Sequence, residues 1–397
     1  MLGVNQLDFL NYTTAFKGNY RKGPHKLRAI LSTPTQAKEF CTNLGGVSVI
    51  FGVPLDRPDK NSEELLEILQ GSPYNDMAVE TWLHGFYDFD SLDTLLYDAA
   101  MCQALANDAA IFRAVGTSEV AVGKLLCGLA GLDPANYENI DAVAASDIAM
   151  VKVAASKSAM AAAVRSPIAT TTLVGSKIAM TALVASSVAM DTIAGSQAYM
   201  TVLAGNSAAM TIVAGSETAM ASVAKSKTAM TAVAASQTAM AAVAGNTNAM
   251  KAVASSAVAL NAICKNATAR AAFIGSAYRD TYYSQILSSL GNTTYFTAKT
   301  TSLNSGEVKA WDTDYYINGS SFAVNTTTAK TADSSFCYIE TAYAESSSHN
   351  AKITTLQGSV SLLSTTSTSK TARHWCIPGG FKYNNANFTG CRVYLAK

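Results

Sequence analysis

Ser216-Glu217-Thr218-Ala219-Met220-Ala221-Ser222-Val223-Ala224 is one copy of a pattern that returns every ten residues from about residue 141 to residue 280. Written across the blocks it reads x-x-V-A-G-S-x-x-A-M. The sixth position is Ser or Asn in every copy: Ser146, Ser156, Ser166, Ser176, Ser186, Ser196, Asn206, Ser216, Ser226, Ser236, Asn246, Ser256, Asn266 and Ser276. The fifth is often Gly, as at Gly175, Gly195, Gly205, Gly215, Gly245 and Gly275. Apolar residues hold the third position (Val143, Val153, Leu173, Ile193, Val233, Phe273), the fourth and ninth (mostly Ala) and the tenth (Met150, Met160, Met180 through Met250). A fixed period of this kind decides the architecture before any other feature is read.

Helix geometry separates the two structures that fit the pattern. In one continuous α-helix each residue turns 100°, so ten residues fall about 80° short of three turns and the apolar stripe would wander around the helix. A series of short helices, each starting at the recurrent Ser or Asn, keeps the stripe on one face. Ser and Asn accept hydrogen bonds from the free N–H groups of a first turn, and Gly tolerates a left-handed turn after a last one. Pro167 follows Ser166 and so falls at the first helical position, where proline is favoured. Each unit is read as about eight helical residues and a two-residue turn. Positions nine, ten, three and four share one face. Helices this short need neighbours to bury that face, which predicts an α-solenoid. Degenerate copies extend it backward through Ala100–Leu105 before Asn107, Ala110–Val115 before Gly116 and Ala121–Leu126 before Gly128, with a bend at Gly131-Leu132-Asp133-Pro134.

The flanks are written differently. Residues 1–98 carry more aromatic and charged residues and helical patches such as Ser62–Leu69, with acidic residues in the first turn. Residues 281–397 are rich in Thr, Ser, Tyr and Asn in alternating runs, with turn signals at Asn318-Gly319 and Pro378-Gly379-Gly380. The expected fold is therefore an α+β multidomain chain: a mainly helical N-terminal head over 1–98, an α-solenoid of ten-residue short-helix repeats over 99–280, and a C-terminal antiparallel β-sandwich over 281–397.

Composition narrows the function. Of 397 residues only 14% are charged, and 29 Lys+Arg balance 28 Asp+Glu. A nucleic-acid partner is not expected without a concentrated basic surface. Nor is a membrane span, because polar residues interrupt every apolar run. The start of the chain lacks the basic and apolar segments of a signal peptide. Seven scattered cysteines without a Cys-x-x-Cys pair read as reduced, buried thiols, with a disulfide between two of Cys337, Cys376 and Cys391 left open.

No catalytic, cofactor or metal pattern emerges. The four histidines stand apart from any nucleophile or ligand set, and Asp88, Asp90, Asp93 and Asp98 lack calcium-loop spacing, which favours a solvated helix start. Asp312 and Asp314 form a carboxylate pair among aromatics, a weak signal for glycoside hydrolysis. Trp311, Tyr315, Tyr316, Trp375, Tyr383 and Asn384 offer stacking faces and amide groups for a sugar, with packing in a core as the competing account. The structural caps Ser156, Ser166, Ser176, Ser186, Ser196, Asn206, Ser216, Ser226, Ser236 and Asn246 complete the candidate residues.

The decapeptides, as in residues 216–224, and the ending Gly379-Gly380-Phe381-Lys382-Tyr383-Asn384-Asn385-Ala386-Asn387-Phe388-Thr389-Gly390-Cys391 resemble bacteriophage tail-fibre and other virion appendage proteins. That resemblance covers about half the chain. It implies a non-enzymatic structural virion protein, assembled in the host cytoplasm. Its head would attach to other virion proteins, and its C-terminal domain would meet a host-surface glycan or protein. It leaves a homo-oligomer open. An ice-binding or bacterial surface adhesin and a polysaccharide depolymerase are the alternatives. Thr181, Thr201, Thr211 and Thr231 at the first repeat position speak for the adhesin, and Ala161, Asp191, Ala221 and Lys251 in the same slot speak against it.

Overall fold

The computed structural model describes residues 6–17, 22–52, 60–303, 315–318, 321–324, 335–344, 352–355, 358–361, 369–376, 381–382 and 386–397. Among the described residues there are twenty-five α-helices, and the chain divides into two compact units, Met1–Val202 and Leu203–Lys397.

The first unit opens with helices Gln6–Lys17, Gly23–Leu31, Pro34–Cys41, Leu44–Phe51, Lys60–Gln70, Asn75–His84 and Leu92–Tyr97. Their core is aromatic: Tyr12, Phe16 and Phe40 meet ring to ring at 5.3–5.7 Å, and Phe51 meets Trp82 at 6.0 Å. The repeats follow. Asp98, Asp108 and Ser118, ten residues apart, cap helices Ala99–Asn107, Ala109–Val115 and Glu119–Leu129 through hydrogen bonds accepted from Met101, Ile111 and Ala121 N–H. The ten-residue period thus reaches back further than its serines do, carried by aspartates that cap equally well. An insertion around Pro134–Asn136 interrupts it, and Asn139 caps the next helix, Ile140–Ala144.

From Ser146 onward the units are regular. Most helices, such as Pro167–Gly175 and Lys177–Ala185, have nine residues with a single residue between neighbours, while Lys157–Ala163 is shorter and is followed by three. Ser176 closes one helix and caps the next. Successive axes bend by 97° between Pro167–Gly175 and Lys177–Ala185. Within this unit such corners bring later helices back over the third one before: Lys177–Ala185 packs on Asp147–Ala155, and Ser187–Gly195 on Lys157–Ala163. Positions nine, ten, three and four form the interior, with Ala149, Met150, Val153, Ala179, Met180 and Leu183 all at 0% exposure. Burying one Met and one Val contributes about 3–6 kcal/mol per repeat, which an isolated nine-residue helix could not obtain.

The glycines depart from the expected turn. Among the described residues only Gly131 has a positive φ, 69°, and Gly175 and Gly215 are the last helical residues of their units. At the one-residue corners after Gly175 and Gly215 the glycine stays helical, and at the two-residue corner Gly245-Asn246 both residues keep negative φ, so no left-handed cap is formed. A Cβ at Gly175 or Gly215 would meet nothing within 4 Å. Gly175→Ala and Gly215→Ala are each expected to raise stability by about 0.5–1 kcal/mol, read as a higher thermal midpoint.

In the second unit Ser207–Gly215 packs under Gln237–Ala244, Glu217–Lys225 under Thr247–Ala254, Lys227–Ala235 under Ala257–Cys264, and Gln237–Ala244 under Ala267–Gly275. Helix Tyr283–Leu290 follows. Among the described residues nine strands come after it: β1 (Phe296–Leu303), β2 (Tyr315–Asn318), β3 (Ser321–Val324), β4 (Ser335–Ala344), β5 (Lys352–Thr355), β6 (Gly358–Ser361), β7 (Ser369–Cys376), β8 (Phe381–Lys382) and β9 (Ala386–Ala396).

These strands overturn the expected fold class. The chain is a helical, solenoid-like repeat protein almost throughout residues 6–297, and no β-sandwich is formed among the described residues. The strands separate into antiparallel sheets ordered β1-β9-β4-β7, β2-β3-β8 and β5-β6. A sandwich needs two sheets of comparable strands facing each other. The smaller sheets are built from strands of two to four residues, too short to supply a second face. Alternation in a sequence identifies strands but not which strands become neighbours. In the ladders Cys337 stands opposite Cys376, and Cys391 opposite Ile339.

Candidate functional site

The recurrent cap residues make the most regular polar constellation in the molecule. Each accepts a hydrogen bond from the N–H three residues on: Ser156 from Ala159 (3.2 Å), Ser166 from Ala169 (3.1 Å), Ser176 from Ala179 (3.2 Å), Ser186 from Ala189 (3.2 Å) and Ser196 from Tyr199 (3.3 Å). Asn206, Ser216, Ser226, Ser236 and Asn246 do the same toward Ala209, Ala219, Ala229, Ala239 and Ala249 at 3.0–3.2 Å.

The hydroxyl proton has a second task. Ser176 Oγ donates to the Ala144 carbonyl (2.7 Å), Ser186 to Ala154 (2.6 Å), Ser236 to Ala204 (2.5 Å), Ser256 to Ala224 (2.5 Å) and Ser276 to Ala244 (2.6 Å), always thirty-two residues back. Where the array joins the irregular helices the offset changes: Ser156 reaches Leu129 (2.9 Å) and Ser166 reaches Gly116 (2.6 Å). One hydroxyl therefore starts its own helix and ties that helix to a carbonyl on the preceding circuit. A serine can do both because its oxygen accepts while its proton donates.

The first-position threonines are exposed, and their hydroxyls turn inward. Thr171, Thr181, Thr201, Thr211 and Thr231 donate to the carbonyl four residues earlier at 2.8–2.9 Å.

Only part of the aromatic sugar-site set falls within the described residues. Trp311, Tyr383 and Asn384 lie outside them, as do Asp312 and Asp314. Tyr315 and Tyr316 stand opposite Val324 and Ala323 in the three-stranded sheet, whereas Trp375 stands opposite Tyr338 in the four-stranded one.

In the head, Asp88, Asp90 and Asp98 line a cleft of about 460 Å³ with Phe89, Thr94, Leu95 and Met101. Asp98 is occupied as a cap, and His84 lies flat against Phe89 at 3.9 Å. Asp93 bonds instead to Lys124 Nζ, which also donates to the carbonyls of Pro134 and Tyr137 at 3.2 Å. This buried lysine pins the insertion around Pro134 and escaped sequence reasoning, although one Lys inside Glu119-Val120-Ala121-Val122-Gly123-Lys124-Leu125-Leu126 is the signal that could have shown it. Among the described residues no three His, Cys, Asp or Glu side chains are placed to hold a metal ion.

Burial pushes the thiols of Cys41, Cys127 and Cys264 up to about 12 and that of Cys102 up to about 11. The nucleophile is the thiolate, and for a thiol near 12 only about one in ten thousand is ionised at pH 8. Iodoacetamide at that pH is expected to label these four positions only after denaturation, as read by peptide mass spectrometry.

Among the described residues no single helix is long and apolar enough to cross a membrane. Compared with other proteins, the chain matches no protein-family model and no curated sequence.

Proposed function

We propose that this protein is a non-enzymatic structural component of a bacteriophage virion, a tail fibre or another tail or head appendage. The head joins other virion proteins, the repeats serve as a scaffold and spacer, and the C-terminal segment is presented to a host-surface glycan or protein. The observation that carries this reading is the serine ladder. The residue the repeat retains most faithfully spends both its hydrogen-bonding roles on the repeat's own backbone, as at Ser176 and Ser236. A repeat whose recurrent polar group is consumed in holding circuits together is suited to carrying other parts of a chain.

Immunogold labelling tests the reading. Antibodies raised against residues 281–397 are expected to decorate an appendage of intact particles and to slow their adsorption to host cells. Label confined to the surface of uninfected cells would overturn it in favour of an adhesin. Release of reducing sugar from host polysaccharide, lost on changing Asp312 or Asp314, would overturn it in favour of a depolymerase.

A further inference from the structure

A stack of like repeats has an inherent hazard at its ends. Each layer offers the same apolar face and the same fourth-position carbonyls, so the ladder alone does not distinguish the next repeat of its own chain from a repeat of another copy. How the second unit closes its last layer is therefore informative.

Within that unit the carbonyls of Ala204, Ala224 and Ala244 each receive the hydroxyl of a serine thirty-two residues later. The last three fourth-position carbonyls belong to Ala254, Cys264 and Ile274. Thirty-two residues beyond them the sequence holds Ile286, Phe296 and Gly306, none of which carries a hydroxyl. All three carbonyls are nevertheless taken. Ser289 Oγ donates to Ala254 (2.8 Å), Arg270 Nη1 to Cys264 (2.6 Å) and Arg279 Nη1 to Ile274 (2.5 Å).

Both arginines occupy positions that are apolar in the earlier copies of this unit. Arg270 stands at the tenth position, where Met210 through Met250 and Leu260 precede it, and it is only 2% exposed. Arg279 stands at the ninth, held by Ala in the earlier copies of this unit, and its guanidinium is also gripped by Asp280 at 2.9 Å. Each guanidinium lies at the C-terminal end of a helix, Ala257–Cys264 or Ala267–Gly275, where a cation complements unpaired carbonyls and the helix dipole.

The chain's last residues close the same end. Asn261, at a position that is solvent-facing in most copies, is buried and donates through Nδ2 to the carbonyls of Tyr295 (2.7 Å) and Lys397 (3.4 Å). Lys397 N–H in turn donates to Tyr295 (2.9 Å), and Phe296 and Tyr394 are 2% and 3% exposed.

We propose that Arg270, Arg279 and Ser289 form a terminator, which fills the carbonyls that would otherwise receive another layer and so prevents the repeats of a second copy of this chain from adding to the stack. Two features argue for this beyond ordinary capping. Two of the three rungs are filled by arginines, which are foreign to the repeat, and those arginines bring guanidinium groups into layers that earlier in this unit are built of small and aliphatic residues.

The test uses the full chain with Arg270→Met, Arg279→Ala and Ser289→Ala together, which returns positions 270 and 279 to repeat residues and frees the three carbonyls. Amide exchange in residues 257–290 is expected to accelerate at least about tenfold, with residues 207–235 unchanged. Sedimentation velocity is expected to show association that grows with concentration, while the wild-type chain shows none. Faster local exchange with sedimentation identical to wild type at every concentration would overturn the proposal, leaving the three residues as local stabilisers only. Wild-type chain that itself associates through this end would overturn it as well. If circular dichroism shows that the triple variant has lost its helices, the partly exposed Arg279→Ala is measured alone, with the same two readouts deciding.

Discussion

Ser166→Ala is expected to destabilise the first unit by about 2–4 kcal/mol. Ser166 is 0% exposed, and its hydroxyl accepts from Ala169 N–H at 3.1 Å while donating to the Gly116 carbonyl at 2.6 Å. Losing a serine cap costs about 1 kcal/mol. A buried carbonyl left without its donor costs a further 1–3 kcal/mol, roughly, because water cannot replace the lost partner. The neighbourhood has little freedom to adjust. Arg165 Nη1 donates to the Ala106 carbonyl at 2.7 Å, its guanidinium lies 4.1 Å from the centre of the Phe112 ring, and Pro167 fixes the first helical residue. Ser176→Ala removes the same two bonds at a half-buried serine, where water can enter the space the hydroxyl leaves, so its cost is expected nearer 1–2 kcal/mol, roughly. Urea titration gives the ranking, and amide exchange over 116–129 and 167–175 locates it, since repeat arrays depart from two-state unfolding. Equal costs for the two variants would show that burial of the ladder bond adds nothing. Ser166→Asp separates the two roles. It can still cap but cannot donate, and it sets a carboxylate against the Gly116 carbonyl, so it is expected to be no better tolerated than alanine.

Gly123→Ala is expected to cost about 3 kcal/mol or more, at the upper end of the range for overpacked interiors. Gly123 lies in the wholly buried stretch Ala121–Gly128 of helix Glu119–Leu129. A Cβ there would sit 2.4 Å from both the Asn139 carbonyl carbon and the Ile140 nitrogen, and 2.9 Å from the Asn139 oxygen. These are backbone atoms at the start of another helix, not the movable end of a side chain. Asn139 caps that helix by accepting from Ala142 N–H at 3.0 Å, and Lys124 holds the preceding loop through Pro134 and Tyr137. Relief of the clash therefore requires the helix start to move with its cap. Loss of helical signal or a large fall in the urea midpoint is the expected reading. Gly175→Ala is the control: the same substitution in open space should have the opposite sign.

These two sites mark the limit of what sequence alone can reveal about such a protein. The period of ten, the short helices, the capping serines and asparagines, and the apolar set at positions nine, ten, three and four are all legible from residues 141–280. Each depends on interactions inside a ten-residue window, where helix geometry and cap chemistry suffice. The caps at Asp98 and Asp108 are less legible, because aspartate shares the serine's capping chemistry but not its place in the repeat's sequence pattern. The glycines were assigned a left-handed turn because a helix end usually has room for one. At Gly175 and Gly215 a single corner residue leaves no such room and the glycines remain helical.

What the tertiary structure decided is how circuits meet. The thirty-two-residue offset of the ladder follows from the corner angle and from which helix lies over which. Both are set by packing between residues far apart in the chain. The Lys124 knot, the close approach at Gly123 and the closure of the last layer by Arg270, Arg279 and Ser289 have the same origin. So does the division of the C-terminal strands into sheets of four, three and two. Alternation shows which residues share a strand face, but the choice of partner strand rests on contacts up to a hundred residues apart, as between β1 and β9. The physical reason is one of range: capping and periodicity act over one or two turns of helix, whereas stacking, register and termination are properties of the assembled layers.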